Sequence, residues 1–362
     1  MTRKERLERL FAHRETDRPA VYVRTGFPAN DASYDRHKRL LAEKTELKLL
    51  WDATGLQKRI PGSKKILKPD GDFEIHIDTL RLPAGELTRE RFVGKAGSAA
   101  QGHDMTKKFF ISSVRDAEIY LSAEEPEQTG GFDGYFETEA KLGDAGIVDV
   151  GIGNNPAGLV WELCGTELLA YWSADERDLL HELLKIQQRR WMKLCKILID
   201  NKIGKYFSTL GHEGVTPPIH GPADFRDFIT RYDQPVMDML KNAGGRIHVH
   251  CHGSIKSVFD EFLKLGVDVL HPFEAPPMGD ITAADAKKRA KGRITLEGNI
   301  QIADMYEKTT EEIREQVRGL KRDVFYDNEG LIICPTASPY MYNRGGDSYA
   351  NFEAMVDETI KS

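Results

Sequence analysis

Cysteine is scarce in this chain. Cys164, Cys195, Cys251 and Cys334 are scattered through 362 residues, too few and too far apart for a disulfide framework. That excludes a small stapled domain and fits a reducing cytoplasm. No apolar run approaches 18 residues, so no membrane helix is expected. The opening MTRKERLERLFAHRETDRP lacks the apolar centre of a signal peptide. Positive charge is not in excess either. The formal net charge of −6 argues against nucleic acid as a partner. No G-x-G-x-x-G follows an early strand, which lowers a dinucleotide-binding reading. What is present, 40% hydrophobic and 30% charged residues, is the composition of an ordinary soluble protein.

The chain reads as one domain over residues 1–362. Residues 1–14 pattern as a helix, and PAVYVR follows as a short strand. Residues 64–100 alternate apolar and polar positions around Asp70-Gly71 and Ala84-Gly85, which predicts an antiparallel hairpin excursion, read as a lid. From residue 146 the rhythm becomes a βα series. The strands are GIVDVGIG, KYFSTLG, RIHVHCH, VDVLHPF, RITLEGN and GLIICPT, with amphipathic helices between them. With the N-terminal strand and one poorly marked unit the count nears eight. This predicts an α/β fold, a (β/α)8 TIM barrel with helices outside.

In such a barrel the chemistry sits at the carboxyl ends of the strands. The polar residues there are Arg24, Asn154, Asn155, His212, Glu213, His250, His252, Glu274 and Asn299, with Cys334 onward closing the series. The densest is HVHCH, residues 248–252. Alternation points His248, His250 and His252 one way and Cys251 the other. Same-face neighbours lie about 7 Å apart along a strand, so His250 and His252 can share one ion, with Glu274 from the next strand supplying an oxygen. That set suits zinc or a similar divalent metal. A metal-free polar site and a structural role stay open beside it. His248 lies deeper and reads as structural. His271 and Asp280 line the site or brace the PPMGD turn.

These strand ends resemble the uroporphyrinogen decarboxylase superfamily, which includes porphyrinogen decarboxylases and cobalamin-dependent methyltransferases. KERLERLFAHRETDRPAVYV is similar to its opening helix and strand, and LRLPAGELTR to its hairpin segment. GRIHVHCHGSIKSVFDEFLKLGVDVLHPFE is similar to its His-x-Cys-Gly segment. LEGNIQ and LIICPTASP resemble its late turns. The resemblance also implies a (β/α)8 barrel.

The departures bear on activity. The decarboxylases carry Arg-Gln-Ala-Gly-Arg after the first strand. Here the stretch is Arg24-Thr25-Gly26-Phe27-Pro28, with one of the two arginines that hold carboxylates. The methyltransferase branch binds zinc through His-x-Cys and a later Cys. Here His250 matches the histidine, His252 stands where the first cysteine would be, and Ala337 stands where the later one would be, three residues after Cys334.

The resemblance implies methyl transfer involving a corrinoid (cobalamin) or a small methylated substrate. On that reading His250, His252 and Glu274 hold a metal or polarise the acceptor. His212 and Glu213 handle protons, while Asn154, Asn299 and Tyr340 orient the ligand. The alternatives are a metal-free decarboxylase of a tetrapyrrole or another acid, held by Arg24 and Arg344, and a non-catalytic corrinoid- or tetrapyrrole-binding protein. A corrinoid protein and a second copy of the chain, as a homodimer, are the expected macromolecular partners.

Overall fold

The N-terminal helix, Arg3–Phe11, starts because the Thr2 hydroxyl accepts the Glu5 amide at 3.1 Å. Leu7, Leu10 and Phe11 fall on one face and are fully buried. Burying each contributes roughly 1.5–3 kcal/mol. Phe11 meets Tyr206 edge-on, and the Leu10 carbonyl accepts the Thr295 hydroxyl at 2.6 Å. This helix therefore plugs the amino-terminal end of the central sheet.

The computed structural model describes residues 1–98, 100–290, 292–338 and 341–361. In chain order its strands are β1 (Ala20–Val21), β2 (Leu47–Asp52), β3 (Gly62–Asp70), β4 (Phe73–Leu82), β5 (Gly85–Gly94), β6 (Asp104–Lys108), β7 (Gly146–Asn154), β8 (Tyr206–Leu210), β9 (Arg246–His250), β10 (Val269–His271), β11 (Thr295–Ile300) and β12 (Leu331–Pro335). Eight form one all-parallel sheet in the order β1-β12-β11-β10-β9-β8-β7-β2. Those on either side of every junction are neighbours in the chain's own barrel series, so the sheet curls with β1 and β2 as its two edges. This is the TIM-barrel arrangement expected from the βα rhythm.

The seam between the edges is bridged by side chains. Glu46, fully buried just before β2, accepts the Val21 amide at 2.8 Å, and Arg18 and Arg6 also donate to it. Lys48 of β2 lies over the ring of Tyr22, 5.5 Å from its centre.

Helices Pro156–Asp175 and Arg177–Asp200 connect β7 to β8, and Arg231–Asn242 precedes β9. Gly345–Ile360 closes the chain. No helix among the described residues is long and apolar enough to cross a membrane. Where the sequence suggested a hairpin over 64–100, β3, β4, β5 and β6 form a four-stranded antiparallel sheet reaching Lys108. Asp70 pairs with Phe73 and Leu82 with Gly85, so the second turn is centred on Pro83 and Ala84.

Candidate active site

The strand β9 sorts its side chains by alternation. Ile247, Val249 and the following Cys251 join the apolar core with Phe259 and Phe262. His248 and His250 face the sheet interior. There His248 Nε2 lies 2.9 Å from Glu297 Oε2, and the Tyr22 hydroxyl donates to the same oxygen at 2.5 Å. Lys48 and Asp149 pair beside them at 3.1 Å. Burial pushes the Glu297 carboxyl up, but His248 and Lys48 override it and hold the group well below the usual carboxylate range. His248 is lowered by its own burial. It is a neutral donor in this layer, consistent with a structural reading.

One step toward the mouth, β9 and β10 run in register, with His250 opposite His271. Their Nδ1 atoms are 2.8 Å apart, and the rings stack with centres 5.0 Å apart. His271 Nε2 lies 3.1 Å from the Pro335 carbonyl. Burial, then the charge of Arg24, holds His250 well below the usual histidine value. Burial also lowers His271, against the opposing pull of Glu297. Both rings are therefore neutral at pH 7. His250 Nε2 has no hydrogen-bond partner among the described residues.

His252 follows the strand and packs edge-on to His250, with ring centres 4.6 Å apart. Its Nδ1 lies 3.1 Å from Glu274 Oε2, which also accepts the Gly253 amide. The other Glu274 oxygen accepts from Gln301 at 3.2 Å. Burial raises the Glu274 pKa, yet these donors leave it lowered overall. Glu274 was expected as an oxygen ligand. Its place is behind His252 instead, because both of its oxygens are engaged. A carboxylate on Nδ1 fixes an imidazole's tautomer and leaves Nε2 as the open nitrogen. His252 and His250 thus present the same atom.

Arg24 follows β1, and its charge acts on both His250 and His271. Its Nε is enclosed without a partner, and it makes no ion pair with a carboxylate among the described residues. Asn299, ending β11, donates to the Phe273 carbonyl at 2.7 Å, while its Oδ1 is enclosed with no donor. These two lie on the histidine side of the mouth.

Other expected residues lie elsewhere. Asn154 ends β7 and borders a cavity of about 1050 Å³ between the antiparallel sheet and the barrel, together with Arg89, Phe110, Glu162 and Trp191. By strand order this is across the mouth from β10 and β11, and no histidine is among its described lining residues. Burial raises the pKa of Glu162, and the charge of nearby Glu213 adds to it; Glu213 Oε2 has no donor among the described residues. His212 was expected to move protons. It is fully buried against Phe262, 3.0 Å from the buried Asp233. Asn155 caps the helix Pro156–Asp175 and donates to Asp233. Arg344 was expected to bind a carboxylate of the ligand. It is exposed and paired with Asp347 at 2.7 Å, so it serves the start of the last helix. Asp280 accepts the Lys256 amide, which braces its loop. Tyr340 lies outside the described residues.

Glu297 and Tyr22 emerge only from the fold, and His271, read from the sequence as site-lining or as a turn brace, joins them as the partner of His250. Position was the available signal. His271 closes β10, and Glu297 stands two residues before Asn299 on one strand face. One ligand atom each from His271, Glu297 and Cys334 falls within 4.8 Å of the others, a group that could hold a metal ion. Both nitrogens of His271 are already bonded, however, and burial pushes the Cys334 thiol well up. The group reads as hydrogen-bonded core.

No curated protein matches the chain. Among solved structures it is similar to a methyltransferase from Methanosarcina mazei, with a TM-score of 0.61 and 13% identity over 99% of this chain and 98% of that one. A B12-independent methionine synthase from Shewanella sp. W3-18-1 aligns at a TM-score of 0.48 and 10% identity, over 94% of this chain and 96% of that one. At these identities the likeness concerns the fold. The family model described as uroporphyrinogen decarboxylase (URO-D) matches residues 150–338, just over half of the chain and the whole run of strands from β8 to β12, so the protein belongs to the uroporphyrinogen decarboxylase family, as a divergent member.

Proposed function

We propose that this family member is a methyltransferase acting on a small molecule or a corrinoid-linked methyl group, with a divalent metal such as zinc held by His250 and His252. The observation carrying the reading is that both imidazoles have Nδ1 committed, one to His271 and one to Glu274, and have no partner on Nε2 among the described residues. Two oriented imidazole nitrogens fit zinc or a similar ion, with other positions left for substrate. When bound there, such an ion supplies Lewis acidity and lowers the pKa of a coordinated thiol or water.

The chain's own residues do the rest. Glu274 holds the His252 ring in place. Arg24, a guanidinium without a carboxylate partner among the described residues, holds an anionic group of the substrate. Asn299 Oδ1 accepts a hydrogen bond from it. A corrinoid protein is the matching methyl-carrying partner.

The test is elemental analysis of chain purified without chelators or a histidine tag, followed by a methylcobalamin demethylation assay with a thiol acceptor. About one zinc per chain, lost together with activity in His250→Ala and His252→Ala, is the expected result. No metal after incubation with zinc sinks the reading. Arg24 favours a second one in that event: a metal-free decarboxylase that anchors a carboxylate, read by release of carbon dioxide.

A further inference from the structure

The mouth presents a bare nitrogen on His250 only if something decides that ring's tautomer. A neutral imidazole carries one proton and exchanges it between Nδ1 and Nε2 at little cost, so neighbours make the choice. On His250 the neighbour is another histidine, whose own tautomer must be settled first.

We propose that His271 is a positioning residue: with its tautomer set by the Pro335 carbonyl, its bare Nδ1 accepts a hydrogen bond from His250 Nδ1–H and thereby keeps Nε2 of His250 bare. The chain of reasoning has three links. The Pro335 carbonyl only accepts, so the nitrogen 3.1 Å from it, His271 Nε2, carries a hydrogen. A neutral His271 then has a bare Nδ1. The 2.8 Å contact between the two Nδ1 atoms needs one hydrogen, and it comes from His250. The His250 proton is thus spent inward and its remaining lone pair faces outward.

The anchor is rigid. Pro335 ends β12 in register with Ile300 of β11, and the next amide, Thr336, donates to the Ile300 carbonyl at 2.8 Å. The ring of His271 is itself fully buried. A ring free to rotate or retautomerise would offer the mouth an N–H for part of the time, and an N–H neither binds a metal nor accepts a proton. His271 therefore acts through His250 and touches no substrate. In this respect it does for His250 what Glu274 does for His252, with a neutral acceptor in place of a charged one.

This inference deepens the proposed use of His250 and rests on that reading for its purpose, but its test is separate. Nitrogen-15 NMR of histidine-labelled, metal-free protein reads tautomers directly, with the His250 signals assigned from their loss in His250→Asn. The expected wild-type spectrum shows His250 with hydrogen on Nδ1 and bare Nε2, and His271 with hydrogen on Nε2 and bare Nδ1. In His271→Phe, which keeps ring volume but offers no acceptor, His250 shifts toward the Nε2–H form. In His271→Asn, whose amide oxygen accepts near the old Nδ1 position, the Nδ1–H form returns. Zinc titration follows: an expected loss of about 10–100-fold in affinity for His271→Phe, as for other residues that orient a ligand, and recovery in His271→Asn. A wild-type His250 with hydrogen on Nε2 overturns the proposal, and that spectrum needs no variant to fold. An unchanged His250 tautomer in His271→Phe overturns it too. The expected tautomers without zinc binding would remove the metal reading and leave the positioning role standing.

Discussion

Glu274 and His252 form a carboxylate–imidazole pair at 3.1 Å in which the carboxylate is almost fully buried and the ring is partly open to solvent. The geometry makes Glu274 an orienting group for His252. Glu274→Gln keeps the shape but exchanges a charged acceptor for a neutral amide, so zinc affinity should fall by about 10–100-fold while the far-ultraviolet circular dichroism is retained. A competitive zinc titration decides it. Unchanged affinity would mean that the carboxylate does not orient the ring.

His37 should make stability fall in mild acid. Its ring is fully buried among Phe27, Tyr34, Tyr349 and Phe352. Burial, then the charge of Arg36, pushes its pKa down from 6.5 to about 4. The unfolded chain therefore binds the proton first as pH drops. The contribution is intact above pH 6.5 and is lost progressively down to about pH 4, by up to roughly 3 kcal/mol. Urea unfolding at pH 7 and pH 5 should show a smaller pH-dependent loss in His37→Phe than in the wild type. Equal losses would place the acid sensitivity elsewhere.

Glu46 should be costly to remove. It is fully buried and ties Arg6, Arg18 and the Val21 amide across the seam between β1 and β2. Glu46→Ala leaves the nearly buried Arg6 with Asp17 and the Met1 carbonyl and strands a strand-edge amide. Breaking a buried pair from one side costs roughly 3–5 kcal/mol. Chemical denaturation measures this directly. A loss under 1 kcal/mol would show that the seam is held by other contacts.

Gly158 permits a close crossing. A methyl group added there would lie 2.6 Å from the Gly211 Cα, where the helix after β7 meets the loop after β8. Neither backbone can yield locally, so Gly158→Ala should destabilise by about 1–3 kcal/mol. The same variant should shift its neighbours Gly211 and Asn155. A wild-type melting temperature in Gly158→Ala would show that the crossing is loose.

The sequence by itself determined the barrel and the alternation along HVHCH. The period of the βα units and the alternation along one strand are local properties, and they place Cys251 outward and His250 inward without any tertiary contact. The same local logic passed over β2. LKLLWD is a short apolar run beside a helix, half exposed at a sheet edge, and its pairing with β7 depends on residues about a hundred positions away. It also assigned His212 to the mouth, where only packing against Phe262 and Asp233 reveals enclosure. Tertiary structure alone decided the partners of the histidines. His250 meets His271 across a strand pair, His252 meets Glu274 across the same pair, and His271 reads a carbonyl of β12. Tautomer and orientation are fixed by hydrogen bonds between residues more than twenty positions apart, a relation that a one-dimensional pattern does not contain.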